Sequence, residues 1–121
     1  MTRTVLVADD DADILRFIEI NLRLEGFEVV TARDGHEALE KATAVRPDLV
    51  LLDVLMPGID GYAICSRLRA DADLADVPVI IVTANYGTAH VEAARRAGAD
   101  DFLVKPFLPA TLIDKAKAAL G

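Results

Sequence analysis

Apolar residues in this chain fall into short unbroken runs separated by longer segments with a helical period. Five such runs read as strands, over residues 4–8, 27–32, 49–52, 79–82 and 102–104. Runs without polar interruption suit strands buried on both faces of a parallel sheet. The second is broken by Glu28 and Thr31, so it is expected at an edge. Residues 79–82 are the most strand-like, β-branched throughout, and end at Thr83.

Between these runs lie helical patterns. Asp11 or Asp13 can cap the first, which Gly26 stops; Arg16, Glu19 and Arg23 form a narrow polar stripe, so most of its surface should be packed. Further helices are predicted over 35–45, 62–70 and 88–97, the last stopped by Gly98, and one from Pro109 to Gly121. Residues 71–78 form a longer polar connection. Its three aspartates lack the glycine and terminal glutamate of a calcium loop, so a solvated loop is expected. Strand and helix alternate five times. That pattern belongs to an α/β fold, a doubly wound parallel sheet with helices on both faces.

Polar residues interrupt the pattern where the strands end. Asp9 and Asp10 follow the first, Asp53 the third, Thr83 the fourth and Lys105 the fifth. Taken singly, each has a structural reading; Asp53, for one, can simply cap its strand. Right-handed crossovers would nevertheless bring these ends into one crevice, where open α/β sheets place their ligands. Carboxylates about 4 Å apart repel by roughly 1 kcal/mol per pair in water, and by several times that inside a protein. Such a cluster calls for a compensating cation or raised pKa values. A hard dication with oxygen ligands suits it, magnesium best where phosphate is handled. A carboxylate flanked by a metal and a lysine can attack a phosphoryl group, and Thr83 can offer its hydroxyl to the product.

Composition narrows the field. The 121 residues suit one domain, and 53% hydrophobic content excludes a disordered tail. Thirteen basic against twenty acidic side chains, a net charge of −7, argue against nucleic-acid binding by this domain. Cys65 sits in a helical pattern and reads as a buried thiol rather than a redox centre. The first apolar run is too short for a signal peptide, and none is long enough to cross a bilayer, so a cytoplasmic protein is expected. His36 and His90 read as ordinary surface histidines.

Four segments together resemble the receiver domain of two-component response regulators, as in chemotaxis regulators. They are Val-Leu-Val-Ala-Asp-Asp-Asp (5–11), the run Pro-Asp-Leu-Val-Leu-Leu-Asp-Val-Leu-Met-Pro-Gly-Ile-Asp-Gly (47–61), Val-Ile-Ile-Val-Thr-Ala (79–84) and Ala-Gly-Ala-Asp-Asp-Phe-Leu-Val-Lys-Pro-Phe (97–107). The likeness covers essentially the whole chain. It implies a flavodoxin-like strand order 2-1-3-4-5 with five flanking helices. It makes Asp53 the phosphoryl acceptor, with Asp10, Asp53 and the backbone carbonyl of Leu55 as direct Mg2+ (alternatively Mn2+) ligands and Asp9 a ligand through water. Lys105 would bind phosphoryl oxygens, aimed by a cis Lys105–Pro106 peptide, and Thr83 would follow the phosphate as a switch. Phe102 stands at the second switch position without a tyrosine hydroxyl, and Leu55 and Asn85 stand where related proteins tune phosphate loss.

The same resemblance implies a histidine kinase or phosphotransfer protein as donor, and a domain that catalyses its own phosphorylation and dephosphorylation. Output would pass through the fourth helix, fifth strand and fifth helix to an unknown partner or to an effector domain. With no DNA-binding or enzymatic segment after the last helix, the expectation is a stand-alone receiver or one cut from a longer regulator. Asp100-Asp101 and the Lys-Pro-Phe-Leu-Pro run resemble regulators that dimerise through that face, while Ala110-Thr111 departs from them; a phosphorylation-dependent homodimer stays open. Two rivals fit less well. An aspartyl-nucleophile phosphatase would need an aspartate where Leu55 stands, and a flavin-binding electron carrier would need a Ser/Thr/Gly-rich loop where three aspartates stand.

Overall fold

The computed structural model describes residues 2–84 and 87–121. In chain order the elements are β1 (Thr4–Ala8), α1 (Ala12–Leu24), β2 (Glu28–Ala32), α2 (Gly35–Val45), β3 (Leu49–Asp53), α3 (Gly61–Ala70), β4 (Val79–Thr83), α4 (Thr88–Ala97), β5 (Asp101–Val104) and α5 (Pro109–Leu120). The strands form one parallel sheet in the order β2-β1-β3-β4-β5, as the resemblance implies. Every residue of β3 and β4 is buried, which explains their unbroken apolar character; β2 lies at an edge, as its polar interruptions predict.

Alternate side chains on each strand enter two separate cores. Leu6, Val50, Leu52, Val79 and Ile81 pack with Ala38 and Ala42 of α2 and Ile64 and Leu68 of α3. Val5, Val7, Leu49, Leu51, Ile80 and Val82 pack with Leu15, Ile18 and Leu22 of α1 and Leu112 and Ala116 of α5. Among the described residues, no helix is long and apolar enough to cross a membrane.

Aspartate side chains start three of the helices. Asp11 accepts from the amides of Asp13 and Ile14, Asp34 from Glu37 and Asp60 from Ala63, each satisfying donors that a helix start leaves open. Gly61 opens α3 against the end of β3, its amide donating to the Val54 carbonyl at 3.0 Å. A Cβ at position 61 would stand 2.5 Å from the Asp53 carbonyl oxygen. Gly61→Ala should therefore destabilise the fold by about 1–3 kcal/mol, read as a lowered Tm, because backbone and not a mobile side chain blocks the space. An unchanged Tm would show that this approach is not tight.

Two sequence expectations change. The 71–78 connection is not a simple solvated loop: Leu74 is buried, and the carbonyls of Ala75 and Val77 accept hydrogen bonds from Arg69. The first helix is packed less completely than its narrow polar stripe suggests. Phe17, Ile20 and Leu24 are exposed, although the Phe17 ring lies 5.9 Å from that of Phe107.

Candidate functional site

At the carboxyl end of the sheet, β1, β3, β4 and β5 deliver their terminal residues to one cleft of about 440 Å³. It is lined by Asp9, Asp10, Asp53, Leu55, Thr83, His90 and Lys105, among others. Asp9, Asp53 and Thr83 are buried polar residues, an unusual set for strand ends packed against a core, whereas Asp10 is exposed. One carboxylate oxygen from each of Asp9, Asp10 and Asp53 lies within 4.8 Å of the others.

Lys105 answers part of that charge. Its Nζ lies 3.1 Å from Asp9 Oδ2 and 3.0 Å from Asp53 Oδ1, a single ammonium shared by two carboxylates. Position comes from the backbone: the Lys105 amide donates to the Thr83 carbonyl at 2.8 Å, and the Lys105–Pro106 peptide is cis. The other oxygen of Asp9 accepts from the Asp11 amide at 2.9 Å, so Asp9 is fixed from two sides.

Burial holds the Asp53 pKa above the ordinary aspartate value; the Lys105 hydrogen bond opposes this, while the charges of Asp9 and Asp10 reinforce it. Burial alone would lower Lys105, but its bonds to Asp53 and Asp9 outweigh it and raise the pKa. The two shifts are compatible, because one ammonium divided between two acids cannot relieve both fully. Three carboxylates against one ammonium leave two negative charges when all are ionised. Oxygen-only donors with excess negative charge suit a hard dication.

Leu55 lines the cleft at its rim, with its side chain largely exposed (79%). Asn85 lies outside the described residues. Phe102 is half-buried against the α2/α3 core, with the Lys115 ammonium 5.5 Å from its ring centre. Cys65 is buried, and burial pushes its thiol pKa up, in keeping with an unreactive core position.

His90, expected as an ordinary surface histidine, is the residue that sequence reasoning placed wrongly. It is half-buried in the cleft wall, beside the Tyr62 hydroxyl. Its place in the first turn of a helix that follows an active strand end was the available signal. His36 is exposed, as expected. A second cleft, of about 520 Å³, runs past Lys105 between Ile14, Phe17, Pro106 and Phe107. Its lining is mainly apolar, so the chemistry belongs to the acidic cleft.

The response regulator receiver domain family matches residues 5–117. The chain belongs to that family. This receiver is 50% identical over 116 residues to the transcriptional regulatory protein PrrA of Mycobacterium tuberculosis, covering 96% of the chain and 49% of PrrA. It is 42% identical over 120 residues to the DNA-binding response regulator MtrA of the same species, covering 99% of the chain and 51% of MtrA. The receiver thus spans about half the length of these curated relatives. Among solved structures, it superposes with a TM-score of 0.95 on a putative response regulator from Chloroflexus aurantiacus, 38% identical, covering 99% of the receiver and 98% of that chain. The chemotaxis response regulator CheY4 of Vibrio cholerae also matches with a TM-score of 0.95, at 32% identity, covering 98% and 99% of the two chains.

Proposed function

We propose that residues 1–121 form one cytoplasmic receiver domain whose Asp53 takes a phosphoryl group from a phosphohistidine of a kinase or phosphotransfer protein. The observation that carries this reading is the Lys105 ammonium held between Asp9 and Asp53 in a cleft with a third carboxylate. An Asp53 carboxylate oxygen attacks phosphorus; the phosphorus–nitrogen bond breaks, and the histidine nitrogen leaves with its electron pair and takes up a proton. Lys105 receives the negative charge on the transferred oxygens, and the cleft walls hold the acceptor in line.

Asp10, Asp53 and the Leu55 carbonyl would hold magnesium, with Asp9 contributing through water, and the ion would supply neutralising charge to the phosphoryl oxygens. Output passes through α4, β5 and α5, either to a partner protein or to an attached domain. The names of PrrA and MtrA favour a regulator of transcription. DNA contacts would then come from another segment, because this domain carries a net charge of −7. The same face is the candidate for a phosphorylation-dependent homodimer.

Incubation with magnesium and a small acyl phosphate should yield one acid-stable, base-labile phosphoryl group, which peptide mapping places on Asp53. Modification elsewhere would overturn the reading.

Thr83 separates chemistry from switching. It ends β4, buried beside the acceptor, and its hydroxyl can bond a phosphate only once Asp53 carries one. Such a differential contact is what shifts an equilibrium, and a hydrogen bond to a charged group contributes roughly 1.5–3 kcal/mol, about ten- to a hundredfold in population. Thr83→Ala should still accept phosphate yet lose most phosphorylation-dependent NMR shift changes over residues 90–102. A full wild-type pattern of shifts would leave Thr83 a phosphate ligand only.

A further inference from the structure

The loop that joins β3 to α3 carries Leu55 to the rim of the acidic cleft, and its two ends are closed on each other. The Gly61 amide donates to the Val54 carbonyl at 3.0 Å, and Asp60 accepts the Ala63 amide at 2.8 Å. Val54 and Gly61 are buried, whereas Leu55, Pro57, Gly58 and Asp60 are exposed. Backbone bonds fix the ends. The middle of the loop meets a different element, α2.

The first residue of α2, Gly35, is buried against that middle. A Cβ at position 35 would stand 2.6 Å from the Ile59 carbonyl oxygen and 2.8 Å from the Ile59 Cβ. His36, the next residue, is exposed, yet its ring lies beside the loop: a Cβ on Gly58 would meet its Cδ2 at 3.4 Å. The helix has little freedom to retreat. Ala38 and Ala42 are buried in the core with β1 and β3, and Asp34 fixes the helix start by accepting the Glu37 amide at 2.8 Å. Among the described residues, none of α2 lines the cleft.

We propose that Gly35 is a positioning residue for the metal site. Having no side chain, it lets the loop after β3 settle against the start of α2, and that seat sets where Leu55 stands at the cleft. The effect on the metal rests on the magnesium reading above; the seat itself does not. Magnesium demands near-octahedral geometry and takes few ligands from protein, so a small displacement of one of them lowers affinity. A Cβ at position 35 is opposed by backbone, and the exposed loop, not the packed helix, is the side that can give way. Alanine is the better helix former, so a loss in Gly35→Ala comes from the loop contact and not from α2.

Gly35→Ala should weaken magnesium binding about three- to tenfold by calorimetry, as loss of support for a ligand does. In the metal-free protein, its NMR shift changes should extend across to residues 55–60. Ala42→Gly, about two turns further along α2, weakens the same helix away from the loop and should keep the wild-type magnesium affinity. Undiminished affinity in Gly35→Ala, or an equal loss in Ala42→Gly, would overturn the proposal. Should Gly35→Ala fail to fold, His36→Ala carries the test from an exposed position. Shift changes at 57–59 with a loss of about twofold in affinity would support the seat, and the absence of both would overturn it. A wild-type protein that bound no magnesium would instead overturn the metal reading, with the shift changes at 55–60 still deciding whether α2 seats the loop.

Discussion

Asp53→Asn should reduce phosphorylation by magnesium and a small acyl phosphate to background, and should raise the Tm of the metal-free protein at neutral pH. The first effect follows from nucleophilicity, since a neutral amide cannot replace the carboxylate that attacks phosphorus. The second follows from the site's charge. Asp53 has a raised pKa because burial, and then Asp9 and Asp10, disfavour its ionised form despite the Lys105 bond. Folding therefore favours the protonated acid. The cost of ionising Asp53 is absent below the ordinary aspartate pKa, grows as pH rises past it, and is complete only above the higher folded value. The amide still offers Lys105 an oxygen but carries no charge, so the gain in Tm should shrink as pH is lowered. Full labelling of the variant would remove Asp53 as acceptor. A Tm gain independent of pH would assign the stabilisation to something other than ionisation.

Asp10→Ala should weaken magnesium binding tenfold or more, because a cation that keeps most of its waters has few protein ligands to lose. The structure separates this residue from its neighbour. Asp10 is exposed, whereas Asp9 is buried and bonded to Lys105 and to the Asp11 amide. Asp10→Ala should therefore leave metal-free stability nearly intact. Asp9→Ala should weaken the metal less but cost about 1–3 kcal/mol of folding free energy, by stripping two donors of a buried acceptor. The chain has no tryptophan, so isothermal calorimetry and the magnesium-dependent rise in Tm are suitable readouts. Undiminished magnesium affinity in the Asp10 variant would sink its assignment.

The sheet was legible in the sequence because burial on both faces leaves a strong mark: Leu49–Leu52 and Val79–Val82 admit no polar side chain. The convergence of Asp9, Asp10, Asp53, Thr83 and Lys105 was legible for a topological reason, since strand order alone brings their ends together. Less visible was how the charges divide. Nothing in the spacing says that Lys105 bridges Asp9 and Asp53 and leaves Asp10 open. Periodicity also reports which residues are apolar, not what covers them, which is why the exposure of Phe17, Ile20 and Leu24 was missed. The role of Arg69 and the place of His90 in the cleft wall were missed for a related reason. Their partners at Gly98, Asp100 and Tyr62 lie about thirty positions away, where only the folded chain brings them within reach.

The alternation of β3 and β4 side chains between two cores makes the sheet a partition. Ile81 belongs to the layer with α2 and α3, while its neighbours Ile80 and Val82 belong to the layer with α1 and α5. Backbone hydrogen bonds fix the wall between them, so one layer can repack without transmitting strain through shared side chains to the other.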